Sequence, residues 1–351
     1  MPTTTLALIL DSADADFRAG TIERRDLRPD DVRIDIAYAG ICHSDIHTVR
    51  EEWGPCQFPI VTGHEIAGVV SEVGSKVTAY RVGDHVGVGC LVDSCGECDY
   101  CRKGNENFCA KGAVGTYNAT NYDGEPAQGG YSQQIVVSER FVLRIPDSIP
   151  LQVAAPLLCA GITLYTPLKR WGAGPGKQVA IVGMGGLGHM GVKIAAALGA
   201  EVTVISQTLS KEEDGRAFGA VDYRATEDEN VFKELRNRFD LLVCTVSADL
   251  PLDKYLGMVK PFGAVVVVGL PENAQQLQIG SLIMGDKVLA GSNIGGIPIT
   301  QEMLDFCGKH EIAPTVETIS ADQVGEAYDR VVASKVRYRF VIDTSTITPA
   351  D

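Results

Sequence analysis

The chain has 351 residues, 45% of them hydrophobic, with 45 acidic against 31 basic side chains for a formal net charge of −14. That length is more than one core comfortably organises, so two domains are expected, and the apolar share is ample for both. So acidic a surface repels phosphate backbones and argues against nucleic-acid binding, while the lack of a membrane-length apolar run and of a basic start in Met1 to Phe17 argues for a soluble cytoplasmic protein with no membrane partner.

Residues 1 to about 150 read as short strands and turns. Val32-Arg33-Ile34-Asp35-Ile36 alternates apolar and polar, Gly68-Val69-Val70 and Gly87-Val88-Gly89 are strand fragments, and glycine punctuates throughout. Two early clusters combine ligand-type residues: Cys42-His43-Ser44-Asp45-Ile46-His47 and Gly63-His64-Glu65. Spacing alone does not establish that Cys42 and His64 share an ion. Taken singly, a hydrogen-bonded core histidine and a buried cysteine are the ordinary explanation.

The run Cys95, Cys98, Cys101, Cys109, spaced C-x2-C-x2-C-x7-C, is far more specific. Four thiolates close a tetrahedral shell around Zn²⁺, and metal–sulfur bonds can replace the core that Asp93 to Asn107, almost without apolar side chains, does not supply. Gly96 and Gly104 permit the tight turns. Two consecutive x2 spacings argue against chance thiols or a disulfide pair. A bacterial ferredoxin run ends C-x3-C-P, whereas here the last gap is seven residues and Ala110 follows, so zinc is favoured over iron–sulfur. Ten cysteines fall below the density of a small secreted scaffold, which suits a reducing compartment. A closed four-thiolate site performs no chemistry, so the function must reside elsewhere.

Around Ala154 the texture changes. From Lys177 to about Leu289, apolar runs at 179–182, 202–205, 241–244 and 264–268 alternate with helical patterns, the signature of a parallel sheet with crossover helices. Gly183-Met184-Gly185-Gly186-Leu187-Gly188 fits G-x-G-x-x-G directly between a strand and the helical run His189 to Leu198. In that setting Gly183 makes the turn, Gly185 admits a pyrophosphate, Gly188 lets the helix pack on the sheet, and the helix N-terminus faces the phosphates. An NAD site would place Asp or Glu at the end of the second strand. Here stand Ser206, Gln207, Thr208, Leu209, Ser210 and Lys211, small hydroxyls and an ammonium suited to a 2′-phosphate, with Glu212 and Glu213 close behind. NADP(H) is the expected cofactor. After Gly295 come a helix, Thr300 to Lys309, and a terminal strand, Tyr338 to Ile342, with no internal repeat.

Several stretches together resemble the zinc-dependent medium-chain alcohol dehydrogenases, in the cinnamyl alcohol dehydrogenase-like branch. They are Gly40-Ile41-Cys42-His43-Ser44-Asp45-Ile46-His47, Thr62-Gly63-His64-Glu65, Gly129-Gly130-Tyr131, Ala155-Pro156-Leu157-Leu158-Cys159-Ala160-Gly161, Gly185-Gly186-Leu187-Gly188-His189-Met190-Gly191 and Tyr338-Arg339-Phe340-Val341. They run in family order across nearly the whole chain. The resemblance implies an α/β protein with a GroES-like, mainly β catalytic domain (residues 1–152 and 297–351) and a Rossmann, doubly wound cofactor domain (153–296). It implies Cys42, His64 and Cys159 as catalytic zinc ligands, Glu65 as a neighbouring or transient ligand, Asp45 orienting His64, Ser44 and His47 relaying a proton, and His43 at the cofactor pyrophosphate. Two zinc ions per chain, one catalytic and one structural, and a homodimer joined through the cofactor domains complete the family picture.

The implied reaction is reversible hydride transfer between NADP(H) and a primary alcohol or aldehyde. Plant cinnamyl enzymes carry bulky aromatics where this chain has Gly115, ahead of Thr116-Tyr117-Asn118, and Asn293, within Gly291-Ser292-Asn293-Ile294-Gly295-Gly296. The sequence is closer in style to bacterial broad-range aldehyde reductases, with Trp53 a candidate pocket wall. Two rivals stand beside this reading: an NAD(P)-dependent polyol or secondary-alcohol dehydrogenase, against which the Ser206 to Lys211 segment speaks, and a non-catalytic zinc- and dinucleotide-binding protein, which would have little use for Cys42, Ser44, His47, His64 and Cys159 together.

Overall fold

In the computed structural model, which describes residues 3–271 and 273–349, the alternating strand Asp31–Gly40 is the centre of a seven-stranded sheet. Val32, Ile34 and Ile36 point to one face and meet Ile66, Val70, Val86, Val88, Ile135 and Phe141. Each such aliphatic side chain taken from water contributes about 1.5–3 kcal/mol, so this face anchors the strand. Ile66–Val73 pairs antiparallel on one side, followed by His85–Val88 and Leu143–Arg144; Gln134–Ser138 also pairs with the central strand. On the other side Arg339–Asp343 pairs antiparallel and Val316–Ile319 lies parallel beyond it. A separate hairpin joins Thr3–Ile9 to Arg18–Arg24.

Contacts divide the chain into two compact units, Met1–Cys159 with Gly295–Asp351, and Ala160–Ile294. Residues 153–159, grouped with the second segment on sequence, cluster with the first unit. The helix Leu151–Ala154 and the 3-10 turn Ala155–Leu158 pack on strands Asp31–Gly40 and Ile66–Val73. Gly295 and Gly296 likewise fall with the first unit, at the head of helix Ile297–Lys309.

The second unit is a six-stranded, all-parallel sheet in the order Ala220–Ala225, Glu201–Ser206, Gln178–Val182, Phe239–Cys244, Val259–Val267, Val288–Gly291. Counted along the chain the order is 3-2-1-4-5-6, the doubly wound arrangement of dinucleotide-binding domains. The four interior runs expected from sequence are present. Ala220–Ala225 and Val288–Gly291 were not legible because they are edge strands, half-exposed and without a continuous apolar run. No single helix among the described residues is long and apolar enough to cross a membrane.

The glycine turn links strand Gln178–Val182 to helix Gly188–Ala197. Gly183 has φ +92°, and a Cβ on Gly188 would stand 1.9 Å from the Gly183 carbonyl oxygen. The helix therefore starts against the turn backbone with no room for a methyl group. Gly188→Ala should lower unfolding free energy by about 1–3 kcal/mol through overpacking. In denaturant titrations this would appear as a lower midpoint at unchanged m; an unaltered midpoint would refute the packing account.

Candidate functional site

The first unit brings Cys42, His64, Glu65 and Cys159 together, all buried, with their ligand atoms within 4.8 Å of one another. Strand register explains the convergence. Ala39 pairs with Ile66 and Gly40 with Val341, so Cys42, just past one strand, lies at the same end of the sheet as His64 and Glu65, just before the next, and as Arg339. Cys159 comes directly after the turn Ala155–Leu158, which approaches closely because Gly87 and Gly89 lack side chains. A Cβ on Gly87 would lie 2.6 Å from Leu158 Cδ1, and one on Gly89 2.9 Å from the Leu158 carbonyl oxygen. The Cys42 and Cys159 sulfurs end 3.9 Å apart. Tetrahedral bonds of ~2.3 Å place two zinc-bound sulfurs ~3.8 Å apart, so the pair fits that ion.

The electrostatics also call for a cation. The hydrogen bond with Cys159 and the nearby Arg339 hold the Cys42 thiol well below its usual pKa, and the same bond pushes Cys159 up. Burial opposes a charged His64, but Asp45, Cys90 and Cys42 outweigh it and raise the ring's pKa well above the usual range. Burial lifts Glu65 to about 7 against the pull of Arg339. Glu65 Oε1 accepts a hydrogen bond from the Arg339 guanidinium, whereas Oε2 is buried with no hydrogen-bond partner among the described residues. A Cβ on Gly40 would come within 2.0 Å of Oε2, so glycine is needed beside this carboxylate.

Helix His43–Val49 begins at Cys42 and carries the expected polar set. Asp45 faces His64 Nδ1 at 3.1 Å through Oδ1 and accepts the Cys42 N–H at 2.9 Å through Oδ2. Ser44 Oγ lies 3.6 Å from the Cys42 sulfur. His47 Nδ1 meets the Glu52 carboxylate, and its ring stacks on Trp53 with centroids 4.7 Å apart. Trp53 is 47% exposed and covers His47. His43 is exposed, its ring centroid 5.8 Å from that of His47. Gly115 ends the short strand Val114–Gly115, with the Tyr117 carbonyl oxygen nearest its absent Cβ at 3.4 Å. Asn293 is exposed in the second unit.

Cys95, Cys98, Cys101 and Cys109 form the second ligand cluster. Cys101 lies 3.4 Å from Cys98 and 3.9 Å from Cys95. Backbone amides point at the sulfurs: Cys98 N–H at Cys95, Cys95 N–H at Cys109 and Ala110 N–H at Cys98, each at 3.4 Å. The Ala110 amide leads in pulling the Cys98 thiol down to about 6. Donors aimed at sulfur stabilise thiolates, the form that binds metal. Gly96 and Gly104 both have positive φ, +70° and +71°, as the turns require. All ten cysteines are free thiols.

In the second unit the glycine turn offers an open face at Gly185, where an added Cβ would meet nothing within 4 Å. Gly186 and Leu187 come next and lead into helix Gly188–Ala197. Ser206 ends the neighbouring strand Glu201–Ser206, and exposed Gln207 leads to Thr208, whose Oγ1 lies 2.8 Å from Ser210 Oγ. Lys211 Nζ donates to the Met184 carbonyl at 3.0 Å, bringing its ammonium to the glycine turn. No carboxylate occupies the strand end.

Sequence reasoning assigned no role to Arg339, Glu52 or Tyr131. A lone arginine within Tyr338-Arg339-Phe340-Val341-Ile342 was the available signal for a buried ion pair. Glu52 stands five residues after His47, and nothing in that spacing announces contact.

Residues 28–147 match the alcohol dehydrogenase GroES-like domain, and residues 186–309 the zinc-binding dehydrogenase domain. The chain is 58% identical over 345 residues to an NADP-dependent alcohol dehydrogenase C of Mycolicibacterium smegmatis, covering 98% of this chain and 99% of that one. It is 57% identical to a probable formaldehyde dehydrogenase of Bacillus subtilis over 98% of each chain. Among solved structures it superimposes on a cinnamyl alcohol dehydrogenase of Sorghum bicolor with TM-score 0.96 at 39% identity, covering 99% of this chain and 100% of that one. It also superimposes on CAD from Helicobacter pylori, solved with NADP(H), with TM-score 0.93 at 40% identity, covering 98% and 99%.

Arg339 and Glu65 are 5% and 0% exposed, so losing one partner strands a charge. Arg339→Leu should destabilise the chain by about 3–5 kcal/mol in denaturant titration, and adding Glu65→Gln should recover part of that. Equal stability of the Arg339→Leu and native chains would contradict this assignment.

Proposed function

Because this chain belongs to the zinc-dependent medium-chain alcohol dehydrogenase family, we propose that it is an NADP(H)-dependent alcohol dehydrogenase working as a broad-range reductase of aldehydes to primary alcohols. The observation that carries the reading is the buried Cys42, His64, Cys159 cluster, with Glu65 beside it. Two sulfurs and an imidazole leave a tetrahedral ion one open position for a substrate oxygen. With both cofactors bound, zinc supplies Lewis-acid polarisation of the carbonyl and NADP(H) supplies the hydride. Cys42, His64 and Cys159 hold the metal, and Asp45 fixes the His64 ring through Nδ1. Glu65, paired with Arg339, stands by as an alternative ligand. Ser44 and His47 move the proton, with Glu52 and Trp53 holding the His47 ring. His43 serves the cofactor pyrophosphate.

The glycine turn of residues 183–188 takes the dinucleotide, and Ser206, Gln207, Thr208 and Lys211 receive the 2′-phosphate. Lys211 at the turn and the missing carboxylate both support NADP(H) over NAD. Gly115 in the first unit and Asn293 in the second, each standing in place of a bulky aromatic, favour broad substrate acceptance, with Trp53 a candidate pocket wall in the first unit. Cys95, Cys98, Cys101 and Cys109 hold the structural zinc. A homodimer through the edge strand Val288–Gly291 suits the exposed apolar side chains around it: Phe262, Ile279, Ile283, Met284 and Val288 are 43–88% exposed. Ten unpaired thiols support a cytoplasmic, reducing setting.

Two zinc ions per chain should be found by metal analysis; one would overturn the catalytic assignment. Cys98→Ala should lower the count to one and depress the melting temperature while the catalytic zinc remains. Initial rates against aliphatic, terpenoid and aromatic aldehydes should favour NADPH, and a clear NADH preference would overturn the cofactor reading. Lys211→Ala should raise KM for NADPH about 10- to 100-fold, the range for losing one charge-assisted hydrogen bond. An unchanged KM would remove Lys211 from the phosphate site.

A further inference from the structure

Gly129-Gly130-Tyr131 carries part of the family resemblance but none of the chemistry above. Its backbone lies along residues 61–63: the N–H groups of Gly129, Gly130 and Tyr131 donate to the carbonyls of Val61, Gly63 and Thr62 at 2.7, 2.8 and 2.9 Å. That approach needs glycine. A Cβ on Gly129 would stand 2.3 Å from the Thr62 carbonyl oxygen, and one on Gly130 2.3 Å from Ile66 Cγ1. Opposite them Gly63 has φ +101°, and a Cβ there would lie 2.5 Å from Tyr131 Cδ1. Gly63 thus clears the path of the aromatic ring, while Gly129 and Gly130 let the two backbones lie together.

That ring is 0% exposed and ends with its hydroxyl 3.0 Å from Asp45 Oδ2. Asp45 is also 0% exposed; its Oδ2 takes the Cys42 N–H as well, and its Oδ1 faces His64 Nδ1. A buried carboxylate is stable only when its oxygens are occupied by donors, and one so held cannot rotate. Its grip on Nδ1 leaves Nε2 of His64 for the ion.

We propose that Tyr131 is a positioning residue for the catalytic metal: its hydroxyl locks Asp45, and through Asp45 the His64 ring, in the orientation that binds zinc. The inference rests on the reading of Cys42, His64 and Cys159 as the catalytic zinc site. It assigns the G-G-Y stretch a task that ring packing alone would not give it.

Tyr131→Phe keeps the ring and removes only the donor. In the zinc-loaded full-length protein, a chromogenic chelator should strip the Cys42/His64/Cys159 zinc from this variant about 10- to 100-fold faster than from wild type. The four-cysteine zinc serves as an internal standard and should leave at the wild-type rate. With ¹¹³Cd in both sites, the resonance of the mixed sulfur–nitrogen site should shift and the four-sulfur resonance should stay. Tyr80→Phe is the control: its hydroxyl donates to the Val142 carbonyl at 2.6 Å in the same unit, away from Asp45, and its loss should leave zinc release at the wild-type rate. Wild-type release from Tyr131→Phe, equal acceleration by Tyr80→Phe, or loss of both zincs together would overturn the proposal. A wild-type chain holding a single zinc would instead overturn the underlying metal reading, and that result is visible before any variant is made.

Discussion

The structure of the first unit depends on balancing charge in a place with no water. Asp45, Cys42, Cys159 and Glu65 bring acidic groups into one buried volume, and Arg339 and His64 answer them from the protein side. Left alone, such a cluster would take up protons, and the raised pKa values of His64 and Glu65 are that tendency made visible. A divalent ion answers it better, because it neutralises two thiolates while keeping one coordination position available. Glycines meet this demand by close approach: Gly40 admits the Glu65 carboxylate, Gly63 the Tyr131 ring, and Gly87 and Gly89 the turn at Leu158 that delivers Cys159.

The two metal clusters solve different problems. In the proposed reading the four-cysteine lobe would substitute metal–sulfur bonds for a core; its backbone amides turn toward the sulfurs, and Tyr100, Arg102, Lys103 and Phe108 around them are exposed. The other cluster is set into a sheet that already has a core, so an ion held there would be free to serve chemistry. Asp45, Tyr131 and Arg339 form a surround that orients ligands without touching the ion position. Precision of this kind distinguishes a site that polarises a substrate from one that only holds metal.

Much of this could be read from sequence where signal is local. The four cysteines within fifteen residues and the strand–glycine turn–helix around Gly183 both declare themselves by spacing, and the structure has the turn and helix where expected. The convergence of Cys42, His64 and Cys159 was accessible only through family resemblance, because sheet register and a glycine-permitted approach, not spacing, bring them together. The edge strands Ala220–Ala225 and Val288–Gly291 escaped notice because half-exposed strands lack a continuous apolar run. Arg339 and Tyr131 sit in apolar surroundings where sequence alone suggests core packing, and only the partner across the sheet reveals their polar work. The segment 153–159 shows the same limit: its helical texture matches that of helix Ala160–Arg170, but its packing partners are the strands earlier in the chain.

The register that assembles the buried cluster also sets an order in which the chain can acquire metal. Cys95 and Cys109 are separated by 14 residues, whereas Cys42 and Cys159 are separated by 117. Loop-closure entropy grows with the logarithm of length, so joining the longer pair costs about 2 kcal/mol more before any bond repays it. The four-thiolate lobe can close as soon as residue 109 is made. The open site needs Cys159, and its Arg339 counter-charge arrives only with the last strand of the sheet. A nascent chain would thus fill its structural zinc first and complete its reactive one last, when the surrounding walls are already in place to keep an exposed thiolate pair from the solvent.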